Sequence, residues 1–348
     1  MQAHVSPSSK VLTYPFPQPP AAAEIHAVAP GVGWLRLPLP FALDHINVWL
    51  LRDGAGWTLV DCGYGDQATA ALWQENAAAW LKGLPLTRIL VTHCHPDHLG
   101  QAKALSDRFG APVWMSQGEY LSAHAMHDQV AGFGVEPLLE LFLAHGMDED
   151  ELRALRERGN RYRQGVPEAP RRYHRLVEGD ELQIDRRPWR VIVGLGHSPE
   201  HLALHCEETG VLISGDMLLP KITTNVSVWP TEPEADPLGR FLHSLRHFGV
   251  LPAGTLVLPS HGLPFRGIAP RIAQLEAHHE ARLAELLGAM RDEPVAAAAL
   301  RAVLFPRQLD LQQLFFAMGE TIAHLNHLVT VGRLNRHQDG PRIRYIRA

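Results

Sequence analysis

Three histidines and one aspartate lie within six consecutive residues of this chain. The run V-T-H-C-H-P-D-H-L-G contains His93, His95, Asp97 and His98, and it directly follows an apolar stretch that predicts a strand. Imidazole nitrogens and carboxylate oxygens are common ligands of zinc and similar divalent ions, and a site with an open coordination position can do chemistry. The run therefore predicts a metalloenzyme whose ligands converge at a turn beyond a strand.

Three more metal-capable residues follow separate strand-like segments further along the chain. His197 follows V-I-V in G-L-G-H-S-P, Asp216 follows V-L-I in S-G-D, and His261 follows L-V-L in P-S-H-G. Any one of them alone would usually be a structural residue. Open α/β sheets place ligand sites at strand ends, however, so the set together with the first run predicts one metal site.

Length, charge and cysteine content limit the class of protein. A chain of 348 residues can bury one large core and carry a small appendage. A net charge of -5 argues against generic, non-specific nucleic-acid binding. Cys62, Cys94 and Cys206 are too scattered for a disulfide framework. Residues 1–10 show no signal-peptide pattern and no apolar run reaches membrane-spanning length, so we expect a cytoplasmic protein with no membrane partner.

Strands and helices alternate around these motifs. A hairpin is expected at Asp53-Gly54, then a helix over 67–82, a strand into the histidine run, and a helix that Gly110 ends. Residues 118–175 interrupt this alternation with helical patterns. Strand patterns then resume, and a long amphipathic helix is expected near 270–290. This order predicts an α/β (α+β) fold with a helical insert.

The insert is rich in arginine, and two interpretations of these residues stay open. They form either a solvated helix face or a lid that draws in an anionic small-molecule substrate. The residues are Arg153, Arg156, Arg158, Arg161, Arg163, Arg171, Arg172 and Arg175.

The chain divides into three predicted parts. Residues 1–24 are a proline-stiffened lead-in, residues 25–292 hold the candidate site, and residues 293–348 form a compact unit. Short helices followed by a terminal hairpin suggest that this last unit is a winged-helix module.

The motifs H-C-H-P-D-H, G-H-S, S-G-D and S-H-G, in this order within residues 25–265, resemble the metallo-β-lactamase superfamily. The resemblance implies an αβ/βα sandwich of two mixed sheets with a binuclear site at its edge. It further implies one metal held by His93, His95 and His197, a second held by Asp97, His98 and His261, and Asp216 bridging both. Asp61, in V-D-C-G, would order the histidine run without binding metal, and His201 is a candidate for a similar supporting role.

The resemblance also implies the chemistry. Two divalent ions would turn a shared, metal-bridging water into hydroxide, with Asp97 and Asp216 as catalytic residues. We expect zinc, because the first group is rich in nitrogen, with iron or manganese as alternatives in the second group. The superfamily's name does not predict lactamase activity, since exported lactamases need a signal that this chain does not show.

The tail, with F-F-A-M-G-E-T-I-A-H-L-N-H-L, is similar to that of the β-lactamase-like protein 2 branch. That branch leaves two hypotheses open: a hydrolase of a small thioester or ester, of acyl-CoA or S-acylglutathione type, and an endoribonuclease of single-stranded RNA. For the first, Lys221, Thr223 and Asn225 are candidate substrate-binding residues. For the second, the tail offers basic residues that could grip RNA, and a homodimer through the tail or the long helix is also left open. These basic residues are Arg333, Arg336, Arg342, Arg344 and Arg347.

Overall fold

The computed structural model describes residues 11–348. Residues 1–10, on which the expected lack of a signal peptide rests, and the first part of the predicted lead-in lie outside the described residues. The helices are α1 (Gln67–Trp80), α2 (Pro96–Leu99), α3 (Ala102–Phe109), α4 (Gln117–Asp128), α5 (Val135–Ala144), α6 (Glu149–Arg158), α7 (Tyr162–Gly165), α8 (Pro237–Gly249), α9 (Ile268–Ala289), α10 (Ala297–Leu304) and α11 (Leu311–Thr330).

The strands form three sheets. They are β1 (His26–Ala29), β2 (Val32–Pro38), β3 (His45–Asp53), β4 (Gly56–Val60), β5 (Leu86–Leu90), β6 (Val113–Met115), β7 (His174–Arg175), β8 (Glu181–Ile184), β9 (Arg187–Gly194), β10 (His201–Cys206), β11 (Val211–Gly215), β12 (Leu256–Pro259), β13 (Phe265–Arg266), β14 (Leu334–Asp339) and β15 (Arg342–Arg347). The first sheet runs β1 to β7 in order, the second runs β13-β12-β11-β10-β9-β8, and β14 pairs with β15.

The strand directions bring the motif-bearing loops to one edge. In the first sheet β4 and β5 are parallel, and the histidine run follows β5. In the second sheet β9 and β11 both run antiparallel to β10, and β11 is parallel to β12. The loops that carry His197, Asp216 and His261 therefore leave the second sheet on the same side.

Two large sheets pack face to face with helices outside, so the predicted αβ/βα sandwich is confirmed. Trp34, Trp49, Val191 and Ile213 are among the side chains buried between the sheets. Helices α1, α3 and α4 cover the outer face of the first sheet. Because both faces are covered, β3 reads as an almost continuous apolar run (I-N-V-W-L-L) rather than an alternating one.

The tail packs onto the second sheet rather than on itself alone. The predicted boundary at 292/293 lies in the loop after α9, and α10, α11 and the β14–β15 hairpin follow it. Helix α11 has 20 residues and is longer than the short helices that the sequence predicted. Met318 and Ile322 of α11 belong to the same buried cluster as Leu212 and Phe241 of the second sheet and α8. The winged-helix assignment stays a prediction, but the tail and the body share one apolar core.

Helix α8 was not predicted, although its sequence carries a helical signal. Leu238, Phe241, Leu245 and Phe248 follow i, i+3 or i+4 spacing and are buried against the second sheet. Within residues 11–348, no helix combines the length and the apolar character that crossing a lipid bilayer requires.

Candidate metal centre

The seven predicted ligands meet at the edge where the strand directions converge. His93 and His95 lie in the loop between β5 and α2, and Asp97 and His98 lie in the single turn of α2. Asp216 directly follows β11, and His197 and His261 lie in the loops that begin at the ends of β9 and β12. Sequence segments more than a hundred residues apart therefore supply one cluster.

The first predicted group brings three imidazoles together. His93 Nε2 lies 2.9 Å from His95 Nδ1 and 3.2 Å from His197 Nε2. His197 Nε2 is also 3.4 Å from Asp216 Oδ2. All three imidazoles can offer one ligand atom within 4.8 Å of the others.

The second predicted group lies on the other side of the Asp216 carboxylate. His98 Nε2 and His261 Nε2 lie 3.6 and 3.4 Å from Asp97 Oδ2. They lie 3.6 and 3.5 Å from Asp216 Oδ1, the oxygen that the first group does not use. The two oxygens of Asp216 are thus divided between two groups, an arrangement that allows one carboxylate to bridge two cations.

Distances and unpaired atoms both fit a pair of metal ions. Ligands at zinc–nitrogen distances of about 2.0–2.1 Å in a tetrahedron are about 3.3 Å apart. Among the described residues, His98 Nε2 and Asp216 Oδ1 are buried with no hydrogen-bond partner. Burying an unpaired polar atom is unfavourable, and a cation between these atoms would satisfy them. The donor set of five imidazoles and two carboxylates suits zinc, iron or manganese.

Hydrogen bonds on the outer side of the rings aim the ligand nitrogens inward. The Nδ1–H groups of His98, His197 and His261 donate to the Asp61 carboxylate at 2.8 Å, the Asn225 carbonyl at 2.7 Å and the His45 carbonyl at 2.8 Å. Each bond holds a proton on Nδ1, so Nε2 is the nitrogen of each ring that is placed to bind a cation.

Asp61 and His201 occupy supporting positions. The Thr92 N–H donates to Asp61 Oδ1 at 2.8 Å, so Asp61 holds the start of the histidine run as well as His98. His201 Nε2 accepts the backbone N–H of Asp216 at 3.0 Å. Gly215, the last residue of β11, has φ +53°, and a Cβ there would lie 2.3 Å from the His201 ring. The S-G-D motif therefore needs its glycine for both backbone conformation and space.

The electrostatics of the metal-free cluster differ between the two groups. Burial would raise the pKa of Asp97, but His98 and His261 outweigh it and lower that pKa to about 2. Burial works against the charged form of His261, yet Asp216 and Asp97 raise its pKa to about 10. Burial and the neighbouring imidazoles lower the pKa of His93 well below its usual range. His93 is therefore neutral, whereas the carboxylates of Asp97 and Asp216 stay ionised beside His261.

Glu119, at the start of the insert, is a site residue that the sequence interpretation missed. Its fully buried carboxylate accepts the Cys94 N–H at 2.8 Å, the Ser198 hydroxyl at 2.6 Å and the Glu200 N–H at 2.7 Å. It therefore ties the histidine run to the loop that carries His197. Ser116 and Glu119 match a capping box, which predicts only a local role at a helix start.

The three residues predicted to bind substrate lie between β11 and α8, in different environments. Lys221 is exposed and Thr223 is half-buried. The Asn225 side chain donates to Glu320 Oε2 at 3.2 Å and accepts from the Ser227 hydroxyl at 2.9 Å. Substrate contact by these residues stays a prediction, and the side chain of Asn225 is already engaged.

Surface acids neutralise much of the insert's positive charge. Arg153, Arg156, Arg163 and Arg171 form ion pairs with Asp150, Glu136, Asp128 and Glu168 at 2.6, 2.9, 3.4 and 3.5 Å. Arg161, Arg172 and Arg175 are exposed. Arg158 differs because it is half-buried, donates to Gln312 and lies 5.4 Å over the ring of Phe315. A solvated face accounts for the paired arginines, and Arg158 is the member that reaches the tail.

Two family models match this chain. The model described as the metallo-beta-lactamase superfamily matches residues 42–261, which include all seven candidate ligands. A second, described as metallo-beta-lactamase-like, C-terminal domain, matches residues 283–348 and so begins within α9. Among solved structures, a beta-lactamase domain protein from Burkholderia ambifaria is 49% identical, with a TM-score of 0.90 and coverage of 97% of this chain and 98% of that chain.

Two of the three curated relatives described next have hydrolase names. The probable metallo-hydrolase YqjP of Bacillus subtilis is 27% identical over 88% of this chain and 94% of its own length. The beta-lactamase-like protein 2 homolog of Caenorhabditis elegans is 23% identical over 73% of this chain and 68% of its length. A hydroxyacylglutathione hydrolase of Cereibacter sphaeroides is 25% identical over 63% of this chain and 66% of its length.

Proposed function

Because this chain belongs to the metallo-beta-lactamase superfamily, we propose that it is a binuclear metal-dependent hydrolase of a small-molecule thioester or ester. The division of the Asp216 carboxylate between two ligand groups is the observation that carries the proposal. His93, His95 and His197 would hold one ion, Asp97, His98 and His261 the other, and Asp216 both. Zinc is the metal we propose, with iron or manganese as alternatives.

The residues around the site have distinct tasks in this hydrolysis. Bound divalent ions supply Lewis acidity, which lowers the pKa of water in the site toward neutrality. The Asp97 carboxylate points Oδ2 toward His98 and His261, and its side chain is 19% exposed. In the proposed reaction, its other oxygen accepts a proton from the attacking water. Asp61 keeps the His98 ring and the histidine run in place.

Two observations support a thioester or ester of a small anionic molecule. A hydroxyacylglutathione hydrolase, whose name describes a thioesterase, is similar to this chain over 222 residues. Within the insert, the chain also places the half-buried Arg158 at the end of α6 and the exposed Arg161 just after it. Guanidinium groups bind carboxylates and phosphates through charge-assisted hydrogen bonds, so an S-acylglutathione or an acyl-CoA is a suitable substrate.

RNA is the second candidate substrate, because the tail is locally basic. Arg333 and Arg342 are exposed on the hairpin or next to it. Arg336, in contrast, forms an ion pair with Glu234, and Arg347 donates to the Leu287 carbonyl. Two of the five tail arginines are thus already engaged with the protein, and the thioester is the candidate we favour.

A substrate panel on metal-loaded protein tests the proposal. The panel contains an S-acylglutathione, an acyl-CoA, a lactone, a β-lactam and single-stranded RNA, and the His261→Ala variant purified in parallel reveals contaminating activity. We expect turnover of a thioester or ester that chelation abolishes and zinc restores. Turnover of RNA alone, weakening steeply with salt as phosphate binding does, would overturn the proposal.

A further inference from the structure

We propose that Glu320, on α11 in the tail, is a positioning residue for the candidate ligand His197 and acts through Asn225. This inference rests on the proposed binuclear site. It assigns the tail a part in metal binding, which none of the seven candidate ligands does, because they all lie between residues 93 and 261.

A continuous chain of hydrogen bonds links the tail to the site. The His197 Nδ1–H donates to the Asn225 carbonyl at 2.7 Å. The Asn225 amide donates to Glu320 Oε2 at 3.2 Å, and its Oδ1 accepts the Ser227 hydroxyl at 2.9 Å. Both ends of the Asn225 side chain are therefore held, and the backbone carbonyl that orients His197 belongs to the same residue.

The backbones of α11 and the loop after β11 lie against each other next to Glu320. The Val228 N–H donates to the Gly319 carbonyl at 3.2 Å. A Cβ on Gly319 would lie 2.9 Å from the Cβ and Oγ of Ser227, so the helix needs a glycine here to come so close. The contact between Glu320 and Asn225 is thus built into the packing of the helix against the loop.

The surroundings of Glu320 explain why its carboxyl needs a partner. Burial raises its pKa to about 7, and the hydrogen bond from Asn225 and the charge of Arg282 oppose this rise. On the next turn of α11, His324 donates its Nδ1–H to the Glu320 carbonyl at 2.8 Å. A carboxyl placed among helices is unfavourable unless its oxygens are engaged, and the Asn225 amide engages one.

The consequence for the site follows from the His197 tautomer. With Nδ1 donating to Asn225, the lone pair of Nε2 is directed toward His93 Nε2 at 3.2 Å and Asp216 Oδ2 at 3.4 Å. If the Asn225 carbonyl moves, the ring can rotate or exchange tautomers, and the first metal group loses its geometry. Removal of such outer hydrogen-bond partners typically weakens metal binding by about 10- to 100-fold.

Metal affinity, measured by competition between metal-free protein and a chromogenic zinc chelator, tests the inference without any substrate. We expect Glu320→Ala to weaken zinc binding at the group that contains His197 by at least about tenfold. Glu320→Gln, which keeps an oxygen for the Asn225 amide, should stay within about threefold of the wild type. The matched control is Asn326→Ala. Asn326 holds the same loop at the Pro233 and Ala235 carbonyls, and its side-chain hydrogen bonds within residues 11–348 do not lead to His197.

A double-mutant cycle keeps the inference testable if one variant folds poorly. Asn225→Ala removes the amide that Glu320 accepts but keeps the carbonyl that His197 needs. If the two act on His197 as one unit, the double variant binds zinc no more weakly than the weaker single variant. Losses that add, or wild-type affinity in a folded Glu320→Ala, would overturn the inference alone. A wild-type protein that binds no metal would instead overturn the proposed function.

Discussion

The Ser198 hydroxyl donates a 2.6 Å hydrogen bond to the carboxylate of Glu119, 79 residues earlier in the chain. The same carboxylate accepts the Cys94 N–H, so one buried side chain joins the loops that carry His95 and His197. Two loops from different sheets are held at a fixed separation, and the first candidate metal group depends on that separation.

Glu119→Gln should weaken both the fold and the first metal group. Glutamine has one oxygen for three donors, and its amide would face a backbone N–H. We expect the free energy of unfolding to fall by about 2–3 kcal/mol, measured in urea on metal-free protein. Glu140→Gln, an exposed change on α5, is the control and should be neutral. Equal stability of the two variants would show that Glu119 does not tie the loops together.

His261→Ala should remove one metal ion and most of the activity. The substitution takes away a ligand nitrogen from the group that contains Asp97 and His98, so that group can no longer surround a cation. We expect one ion per chain by mass spectrometry instead of two, and a rate at least about a thousandfold lower on the substrate found in the panel. His243→Ala, at an exposed position on α8, is the matched control. Two ions and a near-normal rate in His261→Ala would contradict the assignment.

Gly215→Ala should disturb the site through His201. The new Cβ would lie 2.3 Å from the His201 ring, and the backbone has a positive φ that alanine disfavours. The ring must move and release the Asp216 N–H, so we expect a loss of about 2–4 kcal/mol in unfolding free energy and a lower metal content. Gly288→Ala lies inside α9, and apart from the helix's own backbone and the two neighbouring residues, no atom of residues 11–348 would lie within 4 Å of the new Cβ. This change should instead stabilise by up to about 1 kcal/mol. Similar effects of both changes would refute this account.

His145→Gln should make the protein less sensitive to mild acid. His145 is fully buried between the Leu141 carbonyl and the Tyr345 hydroxyl, and burial, with a contribution from Arg336, lowers its pKa to about 4. In the unfolded chain His145 has an ordinary pKa near 6.5. Between about pH 6.5 and pH 4, His145 therefore binds a proton in the unfolded chain but not in the folded protein. Stability is therefore fully present above pH 6.5 and falls as the pH drops toward 4.

The measurement compares urea unfolding at pH 7 and pH 5. Wild type should lose about 1–2 kcal/mol more than His145→Gln over this interval, whatever the difference between them at pH 7. The same loss in both proteins would mean that His145 is not held neutral in the folded state.

The sequence was most informative about turns, helix ends, long amphipathic helices and the motifs that carry the candidate ligands. Gly110 ends α3 with φ +67°, the Asp53-Gly54 turn joins β3 to β4, and α9 covers the long helix predicted near 270–290. These features follow from local chemistry, because turn glycines and apolar periodicity act within a few residues. The seven candidate ligands were recognisable because four short motifs stood at strand ends in one order.

Long-range partners could not be predicted from local patterns. From the sequence alone, Glu119 is part of a helix cap and Glu320 is one acid in an apolar helix. In the fold, each contacts a loop that is distant in sequence. Arg158 could not be separated from the other insert arginines, because only the packing of α6 against α11 places it over Phe315. Such roles depend on tertiary contacts, which periodicity and propensity do not encode.

Because α11 and the second sheet share one apolar interior, we expect the two to unfold in a single cooperative transition. Cutting the polypeptide after residue 292 would expose apolar side chains on both fragments to solvent. They are Leu212, Phe241 and Leu286 on the first fragment, and Met318 and Ile322 on the second. We expect neither fragment to be stable alone, and calorimetry of the intact protein should give a single endotherm instead of two. The region that carries the candidate ligands and the tail that follows it are therefore expected to fold and unfold together.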